Sequence, residues 1–138
     1  MKNYLEVTED TGRKFFTSQI QGEIVMLNLL KYRDWADYTH DISLESSVKI
    51  SGKEAYRIYM KAVMPHLNEA GSEVLFFGKC QPFIIGPQDE EWDEVLLVKH
   101  KSKERFLEFA SNPAYLKVKG HRTAALADSR LMPIVQSK

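Results

Sequence analysis

The chain has 138 residues, with 19 basic and 19 acidic side chains and no formal net charge when its four histidines are neutral. This length fits a single domain over 1–138 and leaves no room for a second core of normal size. The balanced charge argues against a nucleic-acid or anionic-membrane surface, because such a surface needs clustered lysine and arginine.

The single cysteine, Cys80, excludes an intrachain disulfide and a zinc site built from cysteines. A lone thiol is typical of a reducing compartment. The N-terminal residues lack the apolar core of a signal peptide, and the apolar runs of the chain are far too short to span a bilayer. We therefore expect a cytoplasmic protein that does not associate with membranes.

The first half of the chain predicts an extension, a strand, a long loop and a helix. Residues 1–22 are polar and form an N-terminal extension, with a short helix over 13–19. Residues 23–33 are apolar at both alternating sets of positions, which predicts a strand that is covered on both faces. The polar stretch 34–53 has no periodicity, so we expect a long loop outside the protomer core, either mobile or lying across a partner.

Apolar residues at three- and four-residue steps predict a helix over 52–70. Pro65 predicts a kink or a second helical segment there, and Gly71 is a natural C-terminal cap. Residues 72–85 predict a long or bent strand, which pairs as a hairpin with a strand over 92–100.

Ser102 predicts the start of another helix, which the Asn-Pro pair at 112–113 ends. A helical segment over 115–127 and a short strand over 130–135 complete the chain. The order strand, helix, strand, strand, helix, strand is typical of an α+β ferredoxin-like βαββαβ fold with one four-stranded antiparallel sheet.

Two helices can cover only one face of such a sheet, yet two of its strands are apolar on both faces. The second face therefore needs a cover of its own, and a second copy of the same sheet is the simplest one. The pattern predicts a homodimer.

Four blocks of the sequence match in order: VMLNLLKYR (25–33), GKEAYRIYMKAVMPHL (52–67), GPQDEEWDEVLLVKH (86–100) and FLEFASNPAYLKVKGHRTAALADSRL (106–131). They resemble an uncharacterised domain-of-unknown-function family of the dimeric α+β barrel superfamily, and the similarity spans about residues 23–135. The resemblance implies ferredoxin-like protomers whose sheets pair face to face into a barrel. The wider superfamily includes cofactor-free monooxygenases, heme-degrading enzymes, chlorite dismutases, muconolactone isomerases, polyketide cyclases and non-catalytic members.

A catalytic site is predicted between the first long helix and the sheet, where Asn28, Tyr59 and His66 could converge. Asn28 would orient a substrate carbonyl, although a structural hydrogen bond to a neighbouring element explains it equally well. His66 would act as general acid or base, with Tyr59 as an aromatic wall. The alternative is an amphipathic helix whose aromatic tips lie at the surface.

A ligand-binding set is predicted from Tyr56, Tyr115 and Arg122. Tyr115 and Arg122 are seven residues apart on one helical face, and Arg122 could bind a carboxylate or phosphate in a bidentate fashion. The alternatives for Arg122 are an ion pair with Asp128 or a cap on the last helical turn.

The sequence predicts no metal site and no permanent cofactor. His100 and His121 lack a second histidine at a ligand spacing, and no carboxylate follows a recognisable metal-binding pattern. His66 and His100 are the candidates for an axial heme ligand, and the sequence does not choose between them. The motifs of triad hydrolases, P-loop enzymes and Rossmann oxidoreductases are absent.

Two classes of function stay open at this point. The first is a cofactor-independent small-molecule enzyme, of the monooxygenase or isomerase type. The second is a non-catalytic homodimer that binds a small ligand or a protein partner. A ligand-sized pocket at Asn28 and His66 would favour the enzyme, whereas side chains that fill this space would favour the binding protein.

Overall fold

A four-stranded antiparallel sheet in the order β2-β3-β1-β4 forms the centre of the computed structural model, which describes residues 2–138. The strands are β1 (Ile24–Tyr32), β2 (Glu73–Lys79), β3 (Glu94–His100) and β4 (Leu126–Ile134). The helices are α1 (Glu9–Phe16), α2 (Gly52–Glu69), α3 (Lys103–Ser111), α4 (Pro113–Val118) and α5 (Gly120–Ala125). After α1, this order and the sheet topology confirm the predicted ferredoxin-like α+β fold.

The two central strands bury alternate residues, and the buried set faces the helices. Leu30 of β1 and Leu96 and Val98 of β3 share one apolar core with Ala55 and Val63 of α2. The opposite set is half-buried and apolar along most of both strands and ends in Lys31 on β1 and Lys99 on β3. Because the helices cover only one face, this second face lies open in the protomer.

Helix α2 begins with the reciprocal pair of hydrogen bonds known as a capping box. The Ser51 hydroxyl oxygen accepts from the Glu54 backbone N–H at 3.0 Å, and the Glu54 carboxylate accepts from the Ser51 N–H at 3.0 Å. The helix then runs through Pro65 without a break. The predicted second helical segment is therefore not formed.

The end of α2 has the geometry of a Schellman motif. Gly71 has φ +73° and donates its N–H to the carbonyl of Asn68 at 3.0 Å. Ser72 donates to the carbonyl of Leu67 at 2.8 Å. Glycine fits the left-handed conformation here, which confirms the predicted cap.

A backbone junction at Gly52 joins β1, α2 and α5. The Gly52 N–H donates to the Arg33 carbonyl at 3.1 Å, and the Arg33 N–H donates to the Ala125 carbonyl at 2.9 Å. A Cβ at position 52 would lie 2.3 Å from the Arg33 oxygen and 2.5 Å from the Ala125 oxygen. Only glycine fits between these two chain segments.

The expectation that residues 34–53 lie outside the protomer core is wrong for part of that segment. Tyr38 is buried in the core with the α2 side chains, and Leu44 packs against it. The Asp37 N–H donates to the carbonyl of Ala124 at 2.9 Å. The segment lacks periodicity because it contains only one 3₁₀ turn, at Ile42–Leu44, and individual residues such as Asp37 attach it to α5.

The predicted strand over 72–85 is too long. Strand β2 ends at Lys79, where the Cys80 N–H donates to the Asp93 carbonyl at 2.9 Å and closes the base of a loop over 80–93. The irregularity in its pairing with β3 falls between Val74 and Phe76. Apolar residues beyond Lys79 therefore belong to this loop.

The predicted helix over 115–127 is two short helices, and β4 starts earlier than expected. The Asn112 side chain accepts from the Ala114 N–H at 2.8 Å and starts α4, with Pro113 in the first helical position. Helix α5 ends at Ala125, and β4 begins at once because its first residues pair with the end of β1. The N-terminal helix is also displaced, since α1 spans 9–16, not 13–19.

Candidate functional site

Three buried tyrosines occupy the space next to α2 where the sequence predicts a site. The ring centroids of Tyr56 and Tyr59 are 5.2 Å apart, and those of Tyr59 and Tyr115 are 6.4 Å apart. The Tyr59 and Tyr115 hydroxyls form a hydrogen bond of 3.0 Å. Since all three side chains are buried, the alternative of aromatic tips at the surface does not describe them. This structure brings the predicted tyrosines together.

Burial keeps two of these phenols protonated at neutral pH. It raises the pKa of Tyr56 to about 12, even though the nearby Arg122 guanidinium lowers it. Burial also raises the pKa of Tyr59 well above its ordinary value, and the neighbouring Tyr115 raises it further. The two groups can therefore donate hydrogen bonds to a ligand oxygen but are poor bases.

Arg122 of α5 reaches the same cluster without a carboxylate partner. Its guanidinium donates to the Leu5 carbonyl at 3.0 Å and lies near the Tyr56 phenol, whose pKa it lowers. The ion pair with Asp128 is not formed, because Asp128 accepts from Arg130 at 2.7 Å. Over residues 2–138, no carboxylate oxygen lies within 4.0 Å of the Arg122 guanidinium.

An N-terminal segment, residues 4–6, covers Arg122. The Tyr4 N–H donates to the Asp128 carboxylate at 2.8 Å, and the Tyr4 carbonyl accepts from the Ser129 hydroxyl at 2.6 Å. Glu6 forms an ion pair with Lys119 at 2.9 Å. A ligand that binds the guanidinium N–H now bonded to Leu5 must displace this segment.

Asn28 faces the helices, on the buried side of β1. Its amide donates to the carbonyl of Leu96 at 3.2 Å and to that of Met26 at 3.4 Å. These are structural hydrogen bonds within the sheet, the alternative that the sequence left open. His66 is half-exposed in the last turn of α2 and forms no side-chain hydrogen bond with Asn28 or Tyr59 in the described part of the chain. Their shared catalytic role stays a prediction.

A buried carboxylate network lies at the start of β3, and the sequence did not predict it. Glu94 accepts two hydrogen bonds from Arg57, at 2.8 and 2.9 Å, and one from the Tyr32 hydroxyl at 2.5 Å. Burial raises the pKa of Glu94, but the hydrogen bonds from Arg57 and Tyr32 outweigh it, so the pKa falls below its ordinary value. The sequence signal was its position, since Glu94 occupies a core-facing site of an alternating strand.

His100, another buried group, accepts or donates one hydrogen bond. Its Nδ1 lies 2.7 Å from the Ser72 hydroxyl, and its ring packs against Phe106 and Phe109. Burial lowers the pKa of His100 to about 4. Tyr38 forms a similar pair with His121, whose Nδ1 lies 2.8 Å from the phenol oxygen.

The two principal cavities are open grooves away from the tyrosine cluster. One, of about 290 Å³, lies between the open sheet face and the loop over 80–93, with Leu29, Phe83 and Trp92 in its lining. The other, of about 430 Å³, lies within the segment 36–50. Residues 2–138 contain no group of three or more histidine, cysteine, aspartate or glutamate side chains placed to hold a metal ion. In the same range no helix is both long and apolar enough to cross a membrane.

Comparison with solved structures confirms the class of protein that this sheet and helix layer define. A Mesorhizobium loti protein described as a dabb family protein with a ferredoxin-like fold has a TM-score of 0.51 and 11% identity, over 86% of this chain and 100% of that chain. A Caulobacter crescentus protein, proposed to be an antibiotic biosynthesis monooxygenase, has a TM-score of 0.51 and 13% identity, over 86% and 92% of the two chains. At these identities the likeness shows the fold alone.

A much nearer relative defines the family. The RPA0582 protein of Rhodopseudomonas palustris, described as a protein of unknown function, is 31% identical, with a TM-score of 0.88 over 99% of each chain. The chain belongs to the same family as this protein, within the ferredoxin-like α+β proteins that the sequence blocks indicated. No family model matches the chain. No curated protein sequence matches it either.

Proposed function

We propose that this protein is a homodimer, formed by stacking two open sheet faces, and that it binds a small ligand without holding a permanent cofactor. The observation that carries the dimer is the uncovered apolar face of the sheet. Leu27 of β1 lies at its centre, paired with Leu97 of β3 and Met132 of β4. The face comprises Val25, Leu27, Leu29, Phe76, Val95, Leu97, Met132 and Ile134.

A second copy of the chain suits this face better than a different partner. A continuous apolar patch of this kind is unusual on a monomer, and it is complementary to itself because both copies present aliphatic side chains at the same spacing. Charged groups stand near its edge, where Lys99 lies 3.8 Å from Glu23 and 3.4 Å from Glu73. An apolar centre with a charged rim is the usual anatomy of a stable interface.

In analytical ultracentrifugation at micromolar concentration, we expect the wild-type protein to have twice the protomer mass of 15.9 kDa. The variant carrying both Phe76→Lys and Met132→Lys should sediment as a monomer, because stacking the sheets would bury four added ammonium groups. The two side chains are 57% and 52% exposed in the protomer, so the fold should tolerate lysine there. Ile42→Lys, at a site 72% exposed in the segment between β1 and α2, is the control and should stay dimeric. A wild-type monomer would refute the dimer.

The tyrosine cluster and Arg122 support a ligand site in each protomer. A half-buried guanidinium without a counter-charge is unfavourable, and a ligand carboxylate would satisfy it with two parallel hydrogen bonds. The neutral phenol of Tyr56, which lies near this guanidinium, could then donate a hydrogen bond to the ligand as well. The site would therefore take a small carboxylate that binds at Arg122 in place of the Leu5 carbonyl, because the tyrosine rings themselves are closely packed.

The filled space around these tyrosines supports a binding protein over an enzyme. Side chains occupy the region next to α2, and the nearby phenols are proton donors with no adjacent base. A second candidate is a cofactor-independent enzyme of the monooxygenase or isomerase type, with Asn28, Tyr59 and His66 as catalytic residues. The buried pair of Tyr59 and Tyr115 hydroxyls favours it, because such a pair can polarise a substrate carbonyl.

Titration with benzoate and phenylacetate tests the site. We expect at least one to raise the melting temperature of the wild-type protein, and Arg122→Gln to weaken its binding by about tenfold or more, since a charge-assisted bidentate hydrogen bond contributes about 1.5–3 kcal/mol. Arg105→Gln, at an exposed arginine of α3, is the matched control and should bind as wild type does. Equal binding by the two variants would place the site elsewhere, and oxygen uptake or ligand turnover during the titration would favour the enzyme.

A further inference from the structure

The loop over 80–93 carries two isoleucines that lie almost entirely in solvent. Ile84 is 98% exposed and Ile85 is 93% exposed, and Phe83 before them is also exposed. Burying an isoleucine side chain is among the more favourable contributions that a single residue can make. Two adjacent exposed isoleucines at a loop tip are therefore a strong indication that another surface covers them.

The base of this loop is fixed to the sheet. The Asp93 N–H donates to the Leu30 carbonyl at 2.8 Å, and the Asp93 carboxylate accepts from the Tyr32 N–H at 2.7 Å. Cys80 closes the base through its hydrogen bond to the Asp93 carbonyl. The loop is thus anchored to the central strand β1, so its tip has a defined position relative to the open face.

The tip itself is a tight turn that presents the isoleucines outward. A Cβ at Gly86 would lie 2.8 Å and 2.9 Å from two ring carbons of Phe83, so the chain folds closely over that ring. Ile84 and Ile85 stand between these two residues and point away from the protomer.

The groove beside the loop connects the tip with the open sheet face. Leu29 belongs to that face, whereas Pro82 and Phe83 belong to the loop, and all three line the same groove of about 290 Å³. Apolar side chains of the sheet and of the loop therefore meet in this groove, with Lys79, Glu90 and Glu91 among its polar lining residues. A second sheet stacked on the open face would meet the loop as well.

We propose that residues 82–85 form a dimerisation arm, which packs against the second copy of the chain and closes the groove over the partner's side chains. This inference rests on the proposed dimer. Because a two-fold axis makes each contact twice, the two arms together bury four isoleucines per dimer. The groove is open in one protomer and becomes a bounded cavity only when the partner is present.

Sedimentation equilibrium of the variant with both Ile84→Ser and Ile85→Ser tests the arm. We expect its dimer Kd to rise by about 100-fold or more over that of the wild type, because four buried isoleucines are lost per dimer. The matched control carries Ile42→Ser and Val48→Ser, two aliphatic residues that are 72% and 67% exposed in the segment between β1 and α2. Its Kd should equal that of the wild type, and circular dichroism should show that all the variants fold.

The outcomes separate the arm from the stacked sheets. If the sheet-face variant is monomeric and the arm variant keeps the wild-type Kd, the arm is refuted and the dimer stands. If the arm variant alone is monomeric, the arm is supported and the sheet-face dimer is refuted. A wild-type monomer refutes both, and its binding to vesicles of phosphatidylcholine and phosphatidylglycerol would then identify residues 82–85 as a lipid-inserting loop.

Discussion

Replacing Gly52 with alanine is expected to lower the free energy of unfolding by at least ~3 kcal/mol. The added methyl group would lie 2.3 Å from the Arg33 carbonyl oxygen and 2.5 Å from the Ala125 carbonyl oxygen. Both are backbone atoms held by hydrogen bonds, so they cannot move aside as a flexible side chain could. Urea denaturation followed by circular dichroism, at one protein concentration, measures the change.

Gly12→Ala is the matched control for this experiment. Gly12 also lies in a helix, but its added Cβ would meet only the tip of the Val7 side chain, at 3.2 Å. Alanine is favoured over glycine in a helix by about 1 kcal/mol, so this variant should be as stable as the wild type or slightly more so. Similar destabilisation by both substitutions would mean that helix position, not the junction, determines the effect.

Acidification from pH 8 to pH 5 should lower the stability by about 2 kcal/mol through His100 alone. Burial lowers the pKa of this histidine from 6.5 to about 4 in the folded protein. Above pH 6.5 the side chain is neutral in both states and has no effect. Below that pH the unfolded chain takes up a proton before the folded chain does, so stability falls until about pH 4 and then levels off.

His100→Gln should remove this part of the pH dependence, although it also lowers stability at every pH because it changes the packing near Phe106. His40→Gln, at an exposed histidine, should leave the acid loss unchanged. The pKa values of Glu94 and Asp128 are lowered from 4.5 and 3.8, so their contribution is present above those values and is lost below pH 5, outside the range of this experiment. An unchanged loss between pH 6.5 and pH 5 in His100→Gln would contradict the assignment.

The fold could be predicted because its signals are local and periodic. The alternation in β1 and β3 and the stripe along α2 each indicate an element and its buried face. The ends were less predictable where tertiary contacts decide them. β2 stops at Lys79 because its chain closes a loop with Asp93, and Tyr38 is buried because α5 anchors its segment. Neither contact leaves a pattern in neighbouring residues.

The candidate site was predictable as a group of residue types but not as a geometry. Spacing along α2 placed Tyr56 near Tyr59, and spacing in the later helical segment paired Tyr115 with Arg122; the structure brings these two predicted pairs together. Spacing could not show that the N-terminal segment covers Arg122, because that contact joins residues over a hundred positions apart. The same holds for Glu94, whose two partners lie in other elements.

The junction at Gly52 restricts how the protein can open. Three chain segments meet there through backbone hydrogen bonds, so α5 has a fixed position relative to both α2 and the sheet. Arg122 and His121, which α5 carries, cannot swing outward as a hinged flap unless that junction breaks. Access to Arg122 must therefore come from peeling the N-terminal segment off β4, a motion that leaves the core helices and the sheet in place.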